Sequence, residues 1–214
     1  MLELILLALI TYFIIRKLKS VLGEESDEKY FGYDAINKKC NVKEAEKVNK
    51  EDEEDKELET KKYCSLPDDA KKNLDILRGK IENFSLSKFA KIASKVVECV
   101  FSANNERNSS EIKKFLSPKL ADVVCETFKN NDKNYIFLVS FKDINVCDII
   151  KNSNVFEIKV IFNMEQINYT TNENDNVIDG DKHNIINVNE TWTFVHDFSK
   201  KDNIWLVSDI EESL

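Results

Sequence analysis

The feature that most constrains the fold is a change of hydrophobic period along the chain. From residue 156 to residue 165, large apolar side chains occupy every second position, which is typical of a half-buried β-strand. Before Tyr135 the apolar residues instead recur at intervals of three and four, the spacing of a helix with one buried face. Helices followed by antiparallel strands predict an α+β domain with helices packed on one face of a sheet.

The helical part contains two long and two short candidates. The motif Leu66-Pro67-Asp68-Asp69 predicts a helix start, and a second helix is expected to open at Ser85 or Ser87. Shorter helices are expected at residues 110–116 and 118–128. The predicted buried stripes of the two long helices are Leu74, Leu77, Ile81 and Phe84, then Phe89, Ile92, Ala93, Val96, Val97, Val100 and Phe101.

The strand part contains further segments around the alternating one. Val188, Trp192, Phe194 and Phe198 share one parity in a later strand. Earlier strands are expected at residues 135–141 and 146–150, and a last one at residues 204–207. Asp179-Gly180 lies between two strands and predicts the turn of a hairpin.

The first 15 residues are almost wholly apolar and are followed at once by basic residues. A secretory signal peptide has the opposite charge order, so this segment predicts an uncleaved membrane anchor at residues 1–22. The positive-inside rule then places the N-terminus outside and the following chain in the cytoplasm. A buried core helix is the alternative. The predicted anchor residues are Leu4, Leu7, Ile10, Phe13, Ile14, Arg16, Lys17 and Lys19.

Residues 23–65 are rich in acidic residues and poor in large apolar ones. Such a stretch cannot bury enough apolar surface to offset the entropy of ordering, so we expect a solvated linker before a domain at residues 66–214. The whole chain carries a net charge of -8, which argues against nucleic acid as a partner. Five scattered cysteines predict reduced thiols in the cytoplasm, with Cys99 and Cys125 buried as small apolar residues.

Catalytic motifs do not stand out in the sequence. The chain has four glycines and neither a phosphate-binding loop nor a dinucleotide-binding fingerprint. Asp179, Asp181 and His183 have a spacing that a metal could use, but polar residues are expected in the predicted turn there. We therefore predict no metal, no cofactor and no catalytic residue.

Three segments together resemble a known family. They are RKLKSVLG at residues 16–23, NETWTFVHDF at residues 189–198 and NIWLVSDI at residues 203–210. With the order of elements, they resemble the bacterial relatives of the mitochondrial import-motor anchor subunit, the forty-four-kilodalton subunit of the inner-membrane presequence translocase. The resemblance to this Tim-forty-four-like domain family implies a cone of helices cupped by a curved antiparallel sheet, similar to the nuclear transport factor two fold.

The resemblance also implies a function. It points to a membrane-anchored adaptor on the cytoplasmic side of the bacterial inner membrane, with protein partners of a translocation or chaperone type. The family's long chaperone-binding region has no counterpart in this sequence, which leaves chaperone recruitment in doubt. An apolar pocket is expected to hold a peptide, a lipid or a partner segment. Its expected lining is Phe89, Val96, Phe162, Glu190, Trp192 and Phe194.

Two further expectations concern charged residues. The mitochondrial members of the family approach cardiolipin-containing membranes, so the resemblance implies that cations on the first two helices contact anionic headgroups. The alternative function is a ligand-binding or isomerase-like enzyme that uses a buried carboxylate, with Glu190 as the first candidate and Tyr135 and His196 behind it. The expected headgroup contacts are Lys71, Lys72, Arg78, Lys88, Lys91 and Lys95, with Lys80 beside them.

Overall fold

The computed structural model describes residues 59–60, 63–200 and 204–212. Within this part of the chain, helices come first and strands follow, as the sequence predicts. The main helices are α1 (Asp68–Lys80), α2 (Leu86–Asn105), α3 (Ser109–Phe115) and α4 (Pro118–Thr127). Residues 59–60 and 63–65 are helical as well, so the end of the segment predicted to be a solvated linker is ordered instead. The strands are β1 (Lys133–Asn152), β2 (Val155–Thr171), β3 (Val177–Gly180), β4 (Ile186–Asp197) and β5 (Leu206–Glu212).

Three of these four helices, α2, α3 and α4, begin at residues whose side chains accept hydrogen bonds from free backbone N–H groups, whereas α1 follows Pro67 without such a cap. The Ser85 hydroxyl accepts a hydrogen bond from the N–H of Lys88 at 3.2 Å, which confirms the predicted start of α2. Ser117 precedes Pro118 and caps α4 in the same way. Helix α1 ends earlier than its apolar pattern predicts, but Ile81 and Phe84 remain buried beyond that end.

The sheet is antiparallel, with the order β1-β2-β4-β5. β3 pairs with the far end of β2, beyond the stretch that β4 covers. The alternation in β2 is confirmed, because one face of that strand is fully buried. The buried residues are Phe156, Ile158, Val160, Phe162 and Met164.

The two early strands predicted at residues 135–141 and 146–150 are one continuous strand, β1. Register shifts interrupt its pairing with β2, for example between Leu138 and Ser140 and between Val146 and Asp148. Each shift moves the apolar residues to the other parity and bends the strand, so the sequence shows two short patterns instead of one. The last strand also differs from prediction, since β5 runs from Leu206 to Glu212.

The predicted hairpin turn at Asp179-Gly180 is wrong. These residues end β3 and pair with Thr170 and Tyr169 of β2. The turn instead lies just before β3, where the side chain of Asn172 accepts hydrogen bonds from the backbone N–H groups of residues 174 and 176.

Helix α2 provides much of the contact between the helices and the inner face of the sheet. Phe89 packs edge-on against Phe194 and Trp205, with ring centroids 5.5 Å and 5.2 Å apart. Phe101 makes a similar contact with Trp192 at 5.9 Å. Truncating such a buried ring costs about 3–5 kcal/mol, so this interface contributes strongly to holding the helices on the sheet.

The predictions about the cysteines and about the membrane anchor have different outcomes. Cys99 was predicted to be buried and is exposed, because it lies on the outer side of α2; Cys125 is half-buried. The predicted anchor at residues 1–22 lies outside the described residues. In the ranges that are described, no helix is both long enough and apolar enough to cross a bilayer.

Candidate functional site

The apolar residues predicted to line a pocket come together in the interior. Phe89, Val96, Phe162, Trp192 and Phe194 are each at most 1 % exposed and belong to one buried cluster. Within it the rings of Phe162 and Trp192 lie 6.0 Å apart and contact each other edge-on. That these side chains line a ligand pocket stays a prediction.

Glu190 lies beside this cluster and not on the outer surface. It pairs with Phe162 of β2 and with Glu212 of β5, so the two carboxylates are direct cross-strand neighbours. The indole N–H of Trp192 donates a hydrogen bond of 2.8 Å to Glu190 Oε2. Burial raises the pKa of Glu190 above its ordinary value and Glu212 adds to the rise, while the hydrogen bond from Trp192 opposes it.

Gln166 extends this polar region and was not predicted. It is fully buried on β2, and neither polar atom of its side-chain amide has a hydrogen-bond partner among the described residues. The amide nevertheless lies close enough to Glu190 to act against the rise of its pKa. The only sign in the sequence is that residue 166 has the same parity as the buried face of β2.

The other two candidates for acid-base chemistry do not join Glu190. Tyr135 stacks on Tyr169 at 5.0 Å and on Phe137 at 6.2 Å, on the face opposite to the core residues Ile136 and Leu138. His196 is buried, but it lies six residues further along β4 and stacks on Phe198 at 4.2 Å. The structure thus places one half-buried carboxylate, Glu190, at the edge of the apolar cluster without a second acid or base from this set.

Most of the basic residues predicted to contact lipid already have acidic partners. Lys72 pairs with Asp69 at 2.9 Å, and Lys95 pairs with Glu98 at the same distance. These are exposed pairs of low strength, so an anionic lipid could replace the carboxylate. Lys71 pairs with Asp68 at 3.4 Å, and Lys88 and Lys91 are exposed on α2.

Arg78 has a structural role that the sequence did not indicate. It donates a hydrogen bond of 2.7 Å to Glu59, which lies in the segment predicted to be a solvated linker. The second oxygen of Glu59 accepts the backbone N–H of Ser87 at 2.8 Å and the hydroxyl of Ser85 at 3.1 Å. Burial alone would raise the pKa of Glu59, but the hydrogen bonds from Ser87, Leu86, Ser85 and Arg78 outweigh it and lower the pKa.

A groove of about 600 Å³ opens between α2 and the first part of β1. Glu98, Phe101 and Ser102 line it from the helix, and residues 135–139 line it from the strand. Phe137 and Val139 are 44 % and 45 % exposed there. This groove was not predicted, because it depends on how a helix and a strand from distant parts of the chain are placed together.

The sequence model of the Tim44-like domain matches residues 71–212. The chain belongs to the Tim44-like domain family. The match confirms the family that the sequence resembles. It covers α1 from Lys71 onwards, the other three helices and all five strands described above.

Among solved structures, the Tim44-like domain is similar to the intermembrane space region of the chloroplast protein ARC6, at 12 % identity and a TM-score of 0.39 over 57 % of this chain and 95 % of that one. It is also similar to a nuclear transport factor 2-like superfamily protein from Salmonella enterica serovar Typhimurium. That match has 10 % identity and a TM-score of 0.35, over 59 % and 91 % of the two chains. These scores are too low to carry a functional argument. No curated protein matches the chain.

Proposed function

We propose that this Tim44-like protein is a membrane-anchored adaptor on the cytoplasmic side of a bacterial inner membrane. It would bind protein partners that translocate or handle other proteins. The observation that carries the proposal is the family match over residues 71–212. The apolar and then basic order of the first 19 residues supports the anchor.

The interior of the domain supports binding more than catalysis. Apolar side chains pack on one another there, and Tyr135 and His196 lie apart from Glu190. A peptide, a lipid or a partner segment would enter only where rings such as Phe89 and Trp192 separate. Such a pocket therefore requires the helices to move away from the sheet.

The second candidate is an isomerase-like enzyme, which one observation favours. Glu190 is a half-buried carboxylate beside an indole N–H and a buried amide, and this environment favours its protonated form at higher pH than usual. A substrate would have to reach this carboxylate from beneath the helices. Catalysis by Glu190 predicts that a Glu190→Gln variant loses activity while keeping its partners.

Membrane attachment is tested by carbonate extraction of a bacterial membrane fraction. The full chain is expected to stay in the pellet at alkaline pH, because a spanning helix is held by its apolar contacts with lipid. A variant that lacks residues 1–22 is expected to leave the pellet. Release of the full chain by carbonate would overturn the anchor.

A further inference from the structure

Strand β1 is an edge strand, and helix α2 caps only its first part. The side chain of Asn105 donates to the C=O of Ile136 at 2.7 Å and accepts from its N–H at 2.9 Å. Asn104 donates to the C=O of Asn134 at 3.3 Å. The two amides thus replace the hydrogen bonds that a neighbouring strand would make.

The capping stops at Ile136, although the edge continues. Every second residue of a strand directs its backbone groups to the same edge. The N–H and C=O groups of Leu138 therefore face the same edge as those of Asn134 and Ile136. Among the described residues, no side chain bonds to the backbone of Leu138 in this way. The groove of about 600 Å³ lies here, between α2 and residues 135–139.

The outer face of the same stretch is apolar. Phe137 and Val139 are exposed, and Tyr135, Phe137 and Tyr169 form a stack with ring centroids between 5.0 Å and 6.2 Å apart. Cross-strand pairs with aromatic residues stabilise a sheet. An additional strand beside β1 would place its outward apolar side chains against this stack.

The negative charge of the groove favours a partner segment with basic side chains. The charged residues among its described lining are Glu98 and Glu106, both on or just after α2. Glu98 is held by an exposed ion pair with Lys95 at 2.9 Å, and Glu106 accepts from the Ser102 hydroxyl at 3.2 Å. Both carboxylates can therefore turn toward a cation with little loss.

We propose that β1 accepts an extended segment of a partner protein, made of alternating apolar and basic residues, as an additional strand in the groove beside α2. The main chain of the segment would bond to the free edge at Leu138. Its apolar side chains would pack on Phe137, and its lysines or arginines would meet Glu98 and Glu106. This site does not depend on the proposed membrane anchor.

The test uses the full chain in detergent micelles and fluorescent peptides of about nine residues, which span roughly 30 Å when extended. A peptide of alternating valine and lysine is expected to bind saturably at low ionic strength. The same peptide with glutamate in place of lysine, or with proline at its centre, is expected not to bind. Two further peptides carry N-methyl groups on one or the other set of alternate backbone nitrogens. One is expected to bind and the other to fail, because only one set faces β1.

Charge reversal in the groove gives the second arm. Glu98→Lys and Glu106→Lys are each expected to weaken binding by at least about threefold at low salt. Glu126→Lys, the same change on α4 and outside the groove, should leave the affinity unchanged. Equal binding of both N-methylated peptides would overturn the added strand. The absence of saturable binding, or equal losses from all three reversals, would overturn the site.

Discussion

At the scale of single residues, the pKa values of two half-buried carboxyl groups shift in opposite directions for different physical reasons. Trp192 and Gln166 act against the rise in the pKa of Glu190, but burial outweighs them and the neighbouring Glu212 adds to it, so this pKa is raised. Glu59 is also partly buried, but several hydrogen bonds stabilise its charge and lower its pKa. The first carboxylate therefore destabilises the folded domain at neutral pH, and the second stabilises it.

Glu190→Gln is expected to increase the free energy of unfolding at pH 7 by roughly 0.5–1 kcal/mol, because the amide still accepts from Trp192 and the repulsion from Glu212 is removed. A carboxyl with a raised folded-state pKa contributes its stability below its unfolded pKa and loses it as pH rises through the folded one. The gain should therefore disappear below about pH 4. Urea unfolding of residues 59–214 at pH 7 and in acid measures this gain in the free energy of unfolding.

The matched control for this variant is Glu212→Gln, which relieves the same repulsion but leaves the half-buried Glu190 carboxylate in place. It should give a smaller gain at pH 7. A Glu190→Gln domain less stable than the parent at pH 7 would show that the Glu190 carboxylate has partners which compensate for its burial.

Glu59→Ala is expected to lower the free energy of unfolding by about 1–3 kcal/mol at pH 7, because Arg78 and the N–H of Ser87 lose their shared acceptor. The lowered pKa of Glu59 makes this contribution present above its unfolded pKa and lost as pH falls through the folded one. The difference between variant and parent should thus shrink in acid. Glu82→Ala, at an exposed position, is the control and should change the free energy by less than about 0.5 kcal/mol.

At the scale of elements, one glycine fixes the pairing of β3 with β2. Gly180 has φ +72°, and a Cβ added there would lie 2.3 Å from the carbonyl oxygen of Asn168. The short strand β3 can stay paired only if residue 180 has no side chain. The same glycine makes the sequence look like a hairpin turn, which explains the wrong prediction at this point.

Gly180→Ala is expected to destabilise the domain by more than about 1 kcal/mol, through strain at positive φ and the contact with β2. Gly79→Ala is the matched change in the last turn of α1, where an added Cβ meets nothing within 4 Å. It should stabilise by about 0.5–1 kcal/mol, since alanine favours helix. Thermal unfolding of both variants measures the two changes in stability, and equal changes would show that Gly180 has no special role in the pairing of β3.

The elements show which parts of the fold were predictable. Helix α2 was predictable because the sequence has one long apolar stripe at helical spacing and a serine that can cap its start. Strand β1 was predicted as two strands because its bulges shift the parity of the apolar residues. The groove at Phe137 and the contact of Arg78 with Glu59 were not predictable, since each joins residues distant in sequence.

The candidate site shows the same limit. Phe89 and Trp192 were correctly placed in the interior, because apolar residues with the right period face a core. Periodicity cannot distinguish a side chain that lines a pocket from one that fills the core, since both are apolar and face inward. The buried amide of Gln166 was missed for a related reason: a single glutamine after an alternating run normally marks the end of burial.

At the scale of the whole molecule, the chain is acidic, with a net charge of -8. Contact with an anionic membrane must therefore come from a local basic surface, for which α2 is the candidate through Lys88, Lys91 and Lys95. Each cation near an anionic bilayer contributes at most about 1 kcal/mol, reduced by salt. The ion pair of Lys95 with Glu98 reduces it further.

Residues 59–214 are expected to co-sediment with vesicles that contain cardiolipin and not with neutral phosphatidylcholine vesicles. Binding should fall with salt, and reversing Lys88, Lys91 and Lys95 to Glu should abolish it. Reversing Lys113, Lys119 and Lys129 gives the same net charge elsewhere and should weaken binding less. If the two triple variants bind equally, net charge and not the surface of α2 governs the contact.

The proposed anchor would hold the domain at the cytoplasmic side of the membrane. The most direct measurement compares two fusions after Leu214, expressed in a bacterial host: alkaline phosphatase, which folds to its active form only outside the cytoplasm, and a fluorescent protein, which fluoresces inside it. We expect an inactive phosphatase and a fluorescent membrane fraction, because the proposed anchor, with Arg16, Lys17 and Lys19 after it, would leave the following chain in the cytoplasm. An active phosphatase with a dark fluorescent fusion would contradict this topology.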